Sequence, residues 1–259
     1  MQLSIPCAPD FDFGKILTSK PFYFFYSHTP ERKIFMDGQF FNLTFKQAGQ
    51  ELIVNVDKKL SASQAQFLKS RIQFSLGASE NMGRFYEICK ADLVLHKLLP
   101  RIKGTRMVSA FSDFEALVGC IISQNNSFRN YLVIMGRLYQ ELNFDPRNYL
   151  QPLRKFKVGY KEPFLQGLAK LYLQNFRFDG STKIKGMGKY SVNLFDIFQR
   201  RNFSGFYWDT LTERILREHY KVRANEKSGH TEAKKLWGDY CGLAEILLQK
   251  FLNDTVKIK

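Results

Sequence analysis

The hydrophobic residues of the chain follow two different spacings, and the change between them lies near residue 62. Before it, the aromatic and β-branched runs "PFYFFYS", "KIFMDGQFFNLTF" and "ELIVNV" alternate with short polar segments, which is typical of antiparallel strands. Those segments, "SHTPER", "MDGQ" and "KQAGQ", contain the glycine, proline and polar residues that favour turns. The first seventy or so residues are therefore predicted to form an antiparallel β-sheet.

From residue 62 onward, apolar residues recur every three or four positions, as they do on one face of an α-helix. "SASQAQFLKSRIQFSL" offers a serine as N-cap, and "SDFEALVGCIIS" begins with a capping box formed by Ser112 and Glu115. Further helices are predicted in "NMGRFYEICKADLVLHKLLPRIKG", "FRNYLVIMGRLYQEL", "EPFLQGLAKLYLQ", "YSVNLFDIFQRR", "DTLTERILREHY" and "YCGLAEILLQKFL". We expect an α+β fold, with an antiparallel β domain over 1–75 and a mostly α-helical domain over 76–259.

Composition narrows the class of protein. The 259 residues are 44% apolar and 15% aromatic, which is typical of a globular protein with one or two cores. No window approaches the length of an uncharged membrane span, and no secretory signal is visible, so a soluble intracellular protein is expected. The four cysteines lack C-x-x-C spacing, so neither a zinc knuckle nor an iron–sulfur cluster is supported.

The charge is large and unevenly distributed. The chain has 39 basic and 24 acidic residues, for a net charge of +15, and such a surplus indicates a polyanionic partner, with nucleic acid ahead of a membrane surface. A basic surface that only confers solubility is the alternative. Residues 151–190 hold nine of the basic residues against two acidic ones. This concentration favours a binding site.

The segment "IKGMGKYSVNLF" places two glycines among lysines, just before a predicted helix. Gly186 and Gly188 would let backbone N–H groups point together at a helix N-terminus, where the dipole favours an anion. Lys183, Lys185 and Lys189 would add a salt-sensitive attraction to phosphate. The alternative is a tight turn in which glycine only relieves steric crowding.

The order of several segments resembles the helix-hairpin-helix superfamily of DNA glycosylases. "IKGMGKYSVNLFDIF" followed by "FYWDTLTERIL" is similar to its hairpin, glycine-rich loop and catalytic aspartate, with 21 residues between Gly188 and Asp209. "FEALVGCIISQNNS" resembles the helix and strand-penetrating loop of the 8-oxoguanine branch. "KVGYKEPFLQGLAK", "GDYCGLAEILLQKFL" and "FDFGKILTSKPFYF" resemble the segment before the hairpin, the last helix and the appended sheet domain. The resemblance covers nearly the whole chain and implies a base-excision repair enzyme.

Such an enzyme flips a damaged base out of double-stranded DNA and cleaves its N-glycosidic bond. The resemblance implies that Asp209 stabilises positive charge on the sugar and orients or deprotonates water; a plain helix N-cap is the alternative. Asn125, with Gln124 or Asn126 beside it, would enter the space that the base leaves, and a polar loop between helices is the alternative. Lys161 is a further candidate DNA contact.

Tyr190 lies where relatives that also cut the strand have a nucleophilic lysine. Tyrosine cannot form an imine, and Lys189, one residue earlier, is turned by about 100° toward the phosphates. We therefore expect a monofunctional enzyme for alkylated purines such as 3-methyladenine. An 8-oxoguanine glycosylase with lyase activity and a non-catalytic DNA-binding module are the alternatives. Tyr190, Trp208 and Phe128 are candidates for stacking on the base, although for Phe128 the helix core is the competing interpretation.

The remaining expectations concern ligands and location. We expect no cofactor and no protein-ligated metal, although the resemblance suggests a monovalent cation at the hairpin carbonyls. A monomer is expected, with no membrane partner. Its location would be the cytoplasm, associated with the nucleoid, or the nucleus in a eukaryote.

Overall fold

The predicted N-terminal antiparallel sheet is present in the computed structural model, which describes residues 1–27 and 29–256. Its strands are β1 (Gln2–Pro6), β2 (Glu31–Met36), β3 (Gln39–Ala48) and β4 (Glu51–Val56), in the order β1-β4-β3-β2. All neighbouring strands are antiparallel. Asp37 and Gly38 join β2 to β3 with φ of 49° and 79°, the positive values that a tight type I′ hairpin needs.

The helices follow the sheet for the rest of the chain, apart from one short helix inside the N-terminal segment. They are α1 (Phe13–Thr18), α2 (Ala62–Leu76), α3 (Gly83–Ala91), α4 (Leu95–Ile102), α5 (Asp113–Ser123), α6 (Phe128–Leu142), α7 (Glu162–Leu173), α8 (Lys189–Gln199), α9 (Thr210–His219), α10 (Gly229–Trp237) and α11 (Cys241–Val256). The predicted fold class, an antiparallel sheet followed by a mostly helical body, is therefore confirmed. The sequence patterns missed α1 and α10. Among the described residues, no helix combines the length and apolar character needed to cross a membrane.

The prediction of a strand at "PFYFFYS" is wrong. Residues 22–24 form bends, and Phe24 has φ of 74°. Tyr23, Phe24 and Phe25 are all fully buried, whereas a strand with one solvent face buries only alternate residues. This segment passes between two cores: Tyr23 packs in the helical core, and Phe24 and Phe25 pack with the sheet.

The two predicted N-caps differ in outcome. Ser61 and Gln64 form a complete capping box at the start of α2. Ser112 also caps its helix, because its hydroxyl accepts the N–H of Glu115 at 3.2 Å. The Glu115 carboxylate does not return to Ser112, however. It forms a buried ion pair with Arg32 of β2 at 2.6 Å, which joins the sheet to the helical body.

Two hydrophobic cores lie on either side of this ion pair. The first contains the inner face of the sheet together with Leu68, Ile72 and Leu76 of α2. The second is centred on the almost entirely buried helix α5. The domain boundary predicted at the end of α2 stays a prediction, because the N-terminal segment also contributes Tyr23 and Tyr26 to the second core. Packing of α5 against α8 places the loop after α5 beside the loop before α8.

Candidate active site

The glycine-rich segment lies at the N-terminus of α8, as predicted, and its two glycines have different environments. Gly186 has φ of 89°, and a Cβ there would come within 2.5 Å of the Phe164 ring. Gly188 is the N-cap of α8, with no side-chain cap, and a Cβ there would meet nothing within 4 Å. The first N–H groups of α8 thus have no side-chain cap, and an anion at this helix N-terminus could bind them. Gly186 shapes the turn, and Gly188 leaves room for a partner.

The three hairpin lysines, Lys183, Lys185 and Lys189, are all exposed. They lie within six residues of one another in sequence, next to the N-terminus of α8, which carries partial positive charge of its own. Exposed ammonium groups on long side chains attract phosphate without fixing its position. Backbone amides and lysines together thus form a surface suited to a phosphate backbone.

The loop "SQNNS" is held against the hairpin by one side chain. Gln124 donates from Nε2 to the carbonyl of Gly186 at 2.6 Å and to the hydroxyl of Ser191 at 2.7 Å. Asn126 binds the preceding helix α5, donating to the Ile122 carbonyl at 2.7 Å. Of the three amides, only Asn125 is exposed. The structure therefore separates one amide that projects outward from two that order the loop.

Asn125 has an aromatic neighbour that the sequence analysis missed. Its Nδ2 donates to the hydroxyl of Tyr160 at 3.0 Å, and Tyr160 is 56% exposed. Asn125 itself has φ of 51°, a conformation that asparagine tolerates better than most residues. An exposed ring and an exposed amide are thus in contact on this surface. A tyrosine in a basic loop carries no signal of this role by itself, because only the fold brings it to Asn125.

Lys161 differs from the prediction that made it a DNA contact. Its side chain is 3% exposed, and its ammonium donates to the carbonyls of Ile122, at 2.8 Å, and Gln124. These carbonyls belong to the C-terminal end of α5, where a cation is favoured. Burial lowers the pKa of Lys161 to about 8. Lys161 therefore orders the loop after α5, and its ammonium does not face the phosphate-binding surface.

Asp209 lies at the N-cap of α9, as both interpretations of the sequence require. Its Oδ1 accepts the N–H of Thr212 at 2.7 Å and the Thr212 hydroxyl at 2.9 Å. The side-chain amide of Gln249 lies 3.2 Å from Oδ1 and 3.3 Å from Oδ2. The residue is only half-buried, so part of it remains accessible. A cap and an accessible, oriented carboxylate are thus combined in one side chain.

A second layer of polar groups lies behind Asp209. Gln249 donates to the Thr212 hydroxyl at 2.9 Å and accepts from the Tyr207 hydroxyl at 3.0 Å. Glu245, 2% exposed, contacts the same Thr212 hydroxyl through Oε1. This layer was not predicted from the sequence. The pattern that could have predicted it is the spacing of Glu245 and Gln249, which are four residues apart on an otherwise apolar helix and therefore share one face.

The three aromatic candidates for the base pocket do not lie in one place. Tyr190 packs edge-on against Tyr207 with 5.2 Å between ring centroids, and burial, followed by the charge of Asp209, raises the pKa of Tyr190. Trp208 packs over α10, since a Cβ on Gly229 would come within 2.3 Å of its ring. Phe128 is 46% exposed and stacks on Tyr131 at 6.1 Å. Of the three, Tyr190 is the one directly associated with Asp209.

The monovalent cation that the resemblance suggests would bind carbonyl oxygens of the hairpin. The carbonyl of Gly186 accepts from Gln124, and that of Ile184 accepts the N–H of Met187 at 3.0 Å. A cation at the hairpin would share these oxygens with existing donors, which their second lone pairs permit. Within the described part of the chain, no group of three or more His, Cys, Asp or Glu residues could hold a metal ion.

The fold and the order of these elements match solved structures over the whole chain. The structure of MBOgg1 with a low-affinity DNA ligand aligns with a TM-score of 0.74 at 16% identity, covering 98% of this chain and 96% of that one. The 3-methyladenine DNA glycosylase of Archaeoglobus fulgidus aligns with 0.74 at 14% identity over 99% of both chains. The protein has the DNA glycosylase fold. The apo 8-oxoguanine glycosylase/lyase of Clostridium acetobutylicum also aligns, with 0.69 at 13% identity, covering 96% and 95%.

The likeness is in structure rather than in sequence. No protein-family model and no curated protein matches this sequence significantly. The glycosylase fold accounts for the sheet, the helical body and the placement of a hairpin and a loop on one face. A fold does not determine an activity, so the function must be inferred from the side chains of the site.

Proposed function

We propose that this protein is a monofunctional DNA glycosylase of base-excision repair. The observation that carries the proposal is Asp209, a half-buried carboxylate held by Thr212 and Gln249, beside a tyrosine at position 190. Solved DNA glycosylases align over nearly the whole chain, which supports DNA as the partner. The net charge of +15 and the open amides at Gly188 support the same partner.

DNA would bind across the hairpin and the loop after α5. The free N–H groups at Gly188 and the lysines around them would bind phosphates, which positions the protein without reading sequence. Asn125 and Tyr160 would enter the stack where the nucleotide leaves it. Flipping costs a few kcal/mol and costs least for damaged or mispaired bases, so these exposed groups would favour lesions over intact pairs.

Cleavage would follow from charge stabilisation at Asp209. As the C1′–N bond breaks, its electron pair leaves with the base, and positive charge develops on the sugar. A fixed carboxylate near that charge lowers the barrier, because its hydrogen bonds orient it before the reaction. Water then adds to C1′ and loses a proton to Asp209 or to solvent. Tyr190 has no amine and cannot form the Schiff base that leads to strand cleavage, so the product is an intact strand with an abasic site.

An alkylated purine is the substrate class that we propose first. Such bases are often cationic, and the face of an aromatic ring such as that of Tyr190 near Asp209 can hold a cation. The fold match to a 3-methyladenine DNA glycosylase is consistent with this class. A comparable match to an 8-oxoguanine glycosylase/lyase makes 8-oxoguanine the second candidate. A monovalent cation at the hairpin and a DNA-associated location in the cell remain predictions.

One experiment tests the function and the class together. The protein is incubated with methylated duplex DNA and with single-lesion duplexes, including 8-oxoguanine, and strand breaks are counted with and without hot alkali. We expect breaks on methylated DNA only after alkali, and no covalent adduct in borohydride. Breaks without alkali, or a trapped adduct, would show that a lysine reaches the sugar. Undamaged duplex and Asp209→Asn are the controls.

A further inference from the structure

Glu245 is a buried carboxyl group behind the candidate catalytic aspartate. It lies on α11, is 2% exposed, and its Oε1 contacts the hydroxyl oxygen of Thr212. Its Oε2 is buried and has no hydrogen-bond partner. Buried carboxyl groups are normally ionised only when they are well paired or hydrogen-bonded. The neighbours of Glu245 therefore determine whether it carries a proton.

The hydrogens around Thr212 can be counted. Its hydroxyl oxygen accepts one hydrogen from Gln249 Nε2 at 2.9 Å, and it also lies against two carboxyl oxygens, Asp209 Oδ1 at 2.9 Å and Glu245 Oε1. Each of these two oxygen–oxygen contacts needs a hydrogen, and a hydroxyl has only one to donate. Both contacts are full hydrogen bonds only if one of the two carboxyl groups is protonated.

The surroundings decide which one it is. Asp209 accepts a backbone N–H from Thr212 and faces the Gln249 amide, so its negative charge is stabilised. Glu245 has no such donors on Oε2. Burial raises the pKa of Glu245 well above its ordinary value, and the charge of Asp209 raises it further, against the lowering effects of the Thr212 hydroxyl and the Tyr207 backbone N–H. The other titratable groups around it, Tyr190, Tyr207 and Cys241, each also have a raised pKa.

We propose that Glu245 is a protonated positioning residue: its acid hydrogen binds Thr212 Oγ1 and thereby directs the Thr212 hydroxyl onto Oδ1 of Asp209. The effect on catalysis rests on the proposed function, whereas the position of the proton does not. If Glu245 lost its proton, the Thr212 hydroxyl would turn toward it. Asp209 would then lose a donor and gain a buried negative neighbour, so its orientation would no longer be fixed.

The activity test compares two substitutions. In Glu245→Gln an amide N–H replaces the acid hydrogen, so base release should stay within about threefold of wild type. Glu245→Ala removes the donor that directs the Thr212 hydroxyl onto Asp209 and should lose about tenfold or more, the factor expected for one hydrogen bond to a charged group. The wild-type rate should fall at alkaline pH as Glu245 ionises, and Glu245→Gln should lack that fall. The exposed Glu213→Gln is the matched control and should behave as wild type.

Two activity results would overturn the proposal. If Glu245→Gln is as inactive as Glu245→Ala, the ionised carboxylate is required. If the effect of Glu245→Gln differs between lesion bases, Glu245 contacts the base directly instead of acting through Asp209. A positioning role predicts the same change for every base that the enzyme releases.

Thermal unfolding tests the proton without any activity. The unfolded chain releases the Glu245 proton near the ordinary pKa of about 4.3, whereas the folded protein keeps it to higher pH. Stability is then greatest below the unfolded pKa and is lost as pH rises toward the folded pKa. Glu245→Gln has no such loss, so its Tm relative to wild type should rise from about pH 5 to about pH 8. A constant difference would overturn the proposal even if base release confirms the function, and a rising one would support it even if no base is released.

Discussion

The hairpin surface and the Asp209 centre are built in opposite ways. At the hairpin, the groups are backbone amides without a side-chain cap and exposed lysines. At Asp209, the acceptor is fixed by short hydrogen bonds, and a buried layer fixes those donors in turn. A flexible, screened surface suits binding to any duplex, whereas preorganised groups suit a transition state. Changes at the first should therefore be small and additive, and changes at the second large.

The largest effect is expected from Asp209→Asn. Asparagine keeps the size and most of the capping ability but removes the charge that would face the developing positive sugar, so base release should fall about a hundredfold or more. Binding to lesion DNA should persist, because the hairpin is unchanged. Single-turnover base release and a binding titration measure the two properties separately.

Full activity in Asp209→Asn would leave this residue with the role of a helix cap alone. A parallel loss of DNA binding would contradict the separate roles of the two regions, because it would show that the carboxylate contributes to binding DNA. Tm of the variant is the control for folding.

The next effect is expected from Gly188→Val. A Cβ at position 188 would meet no protein atom within 4 Å, so the fold should tolerate valine. The branched side chain would, however, keep a phosphate from the first amides of α8. Affinity should fall about tenfold, the value of one hydrogen bond to a charged group, and equally for damaged and undamaged duplexes. Fluorescence anisotropy on both duplexes measures this.

Gly186→Ala is the contrasting variant. Gly186 has φ of 89°, and an added Cβ would lie 2.5 Å from the Phe164 ring. Both features disfavour a side chain at this position, so Tm should fall. Unchanged binding by Gly188→Val at normal Tm would contradict the amide clamp.

The elements with regular spacing were predictable from the sequence, and the exceptions have physical reasons. Helices such as α6 and α9 show an apolar face and were found. The segment around Tyr23 was misread because consecutive buried aromatics have the composition of a strand, and only two cores on opposite sides explain their burial. The short helix α1 is capped by Asp12, but it lies in a stretch whose aromatics indicated strands.

The candidate site was partly predictable for a similar reason. Gly188 and Asp209 were found because their order along the chain resembles known glycosylases. Lys161 was placed on the surface because the sequence gives its charge but not the two carbonyls that bury it. Glu245 and Gln249 were missed because polar residues on a terminal helix normally face solvent. Only the packing of α11 against α9 turns them toward Asp209.

The smallest effect is expected from the substitution of a single lysine. Lys185 is exposed at the hairpin, so Lys185→Met should weaken duplex binding only a few-fold and reduce the slope of log affinity against log salt by about 0.9, the value for one phosphate contact. Lys161→Met removes the same charge from the sequence, but the ammonium of Lys161 binds carbonyls inside the protein. Its slope should equal that of wild type, and any loss should concern lesion recognition through the loop that it orders. Equal slopes for the two variants would mean that Lys185 does not contact phosphate, and a reduced slope for Lys161→Met would mean that its side chain leaves the interior when DNA binds.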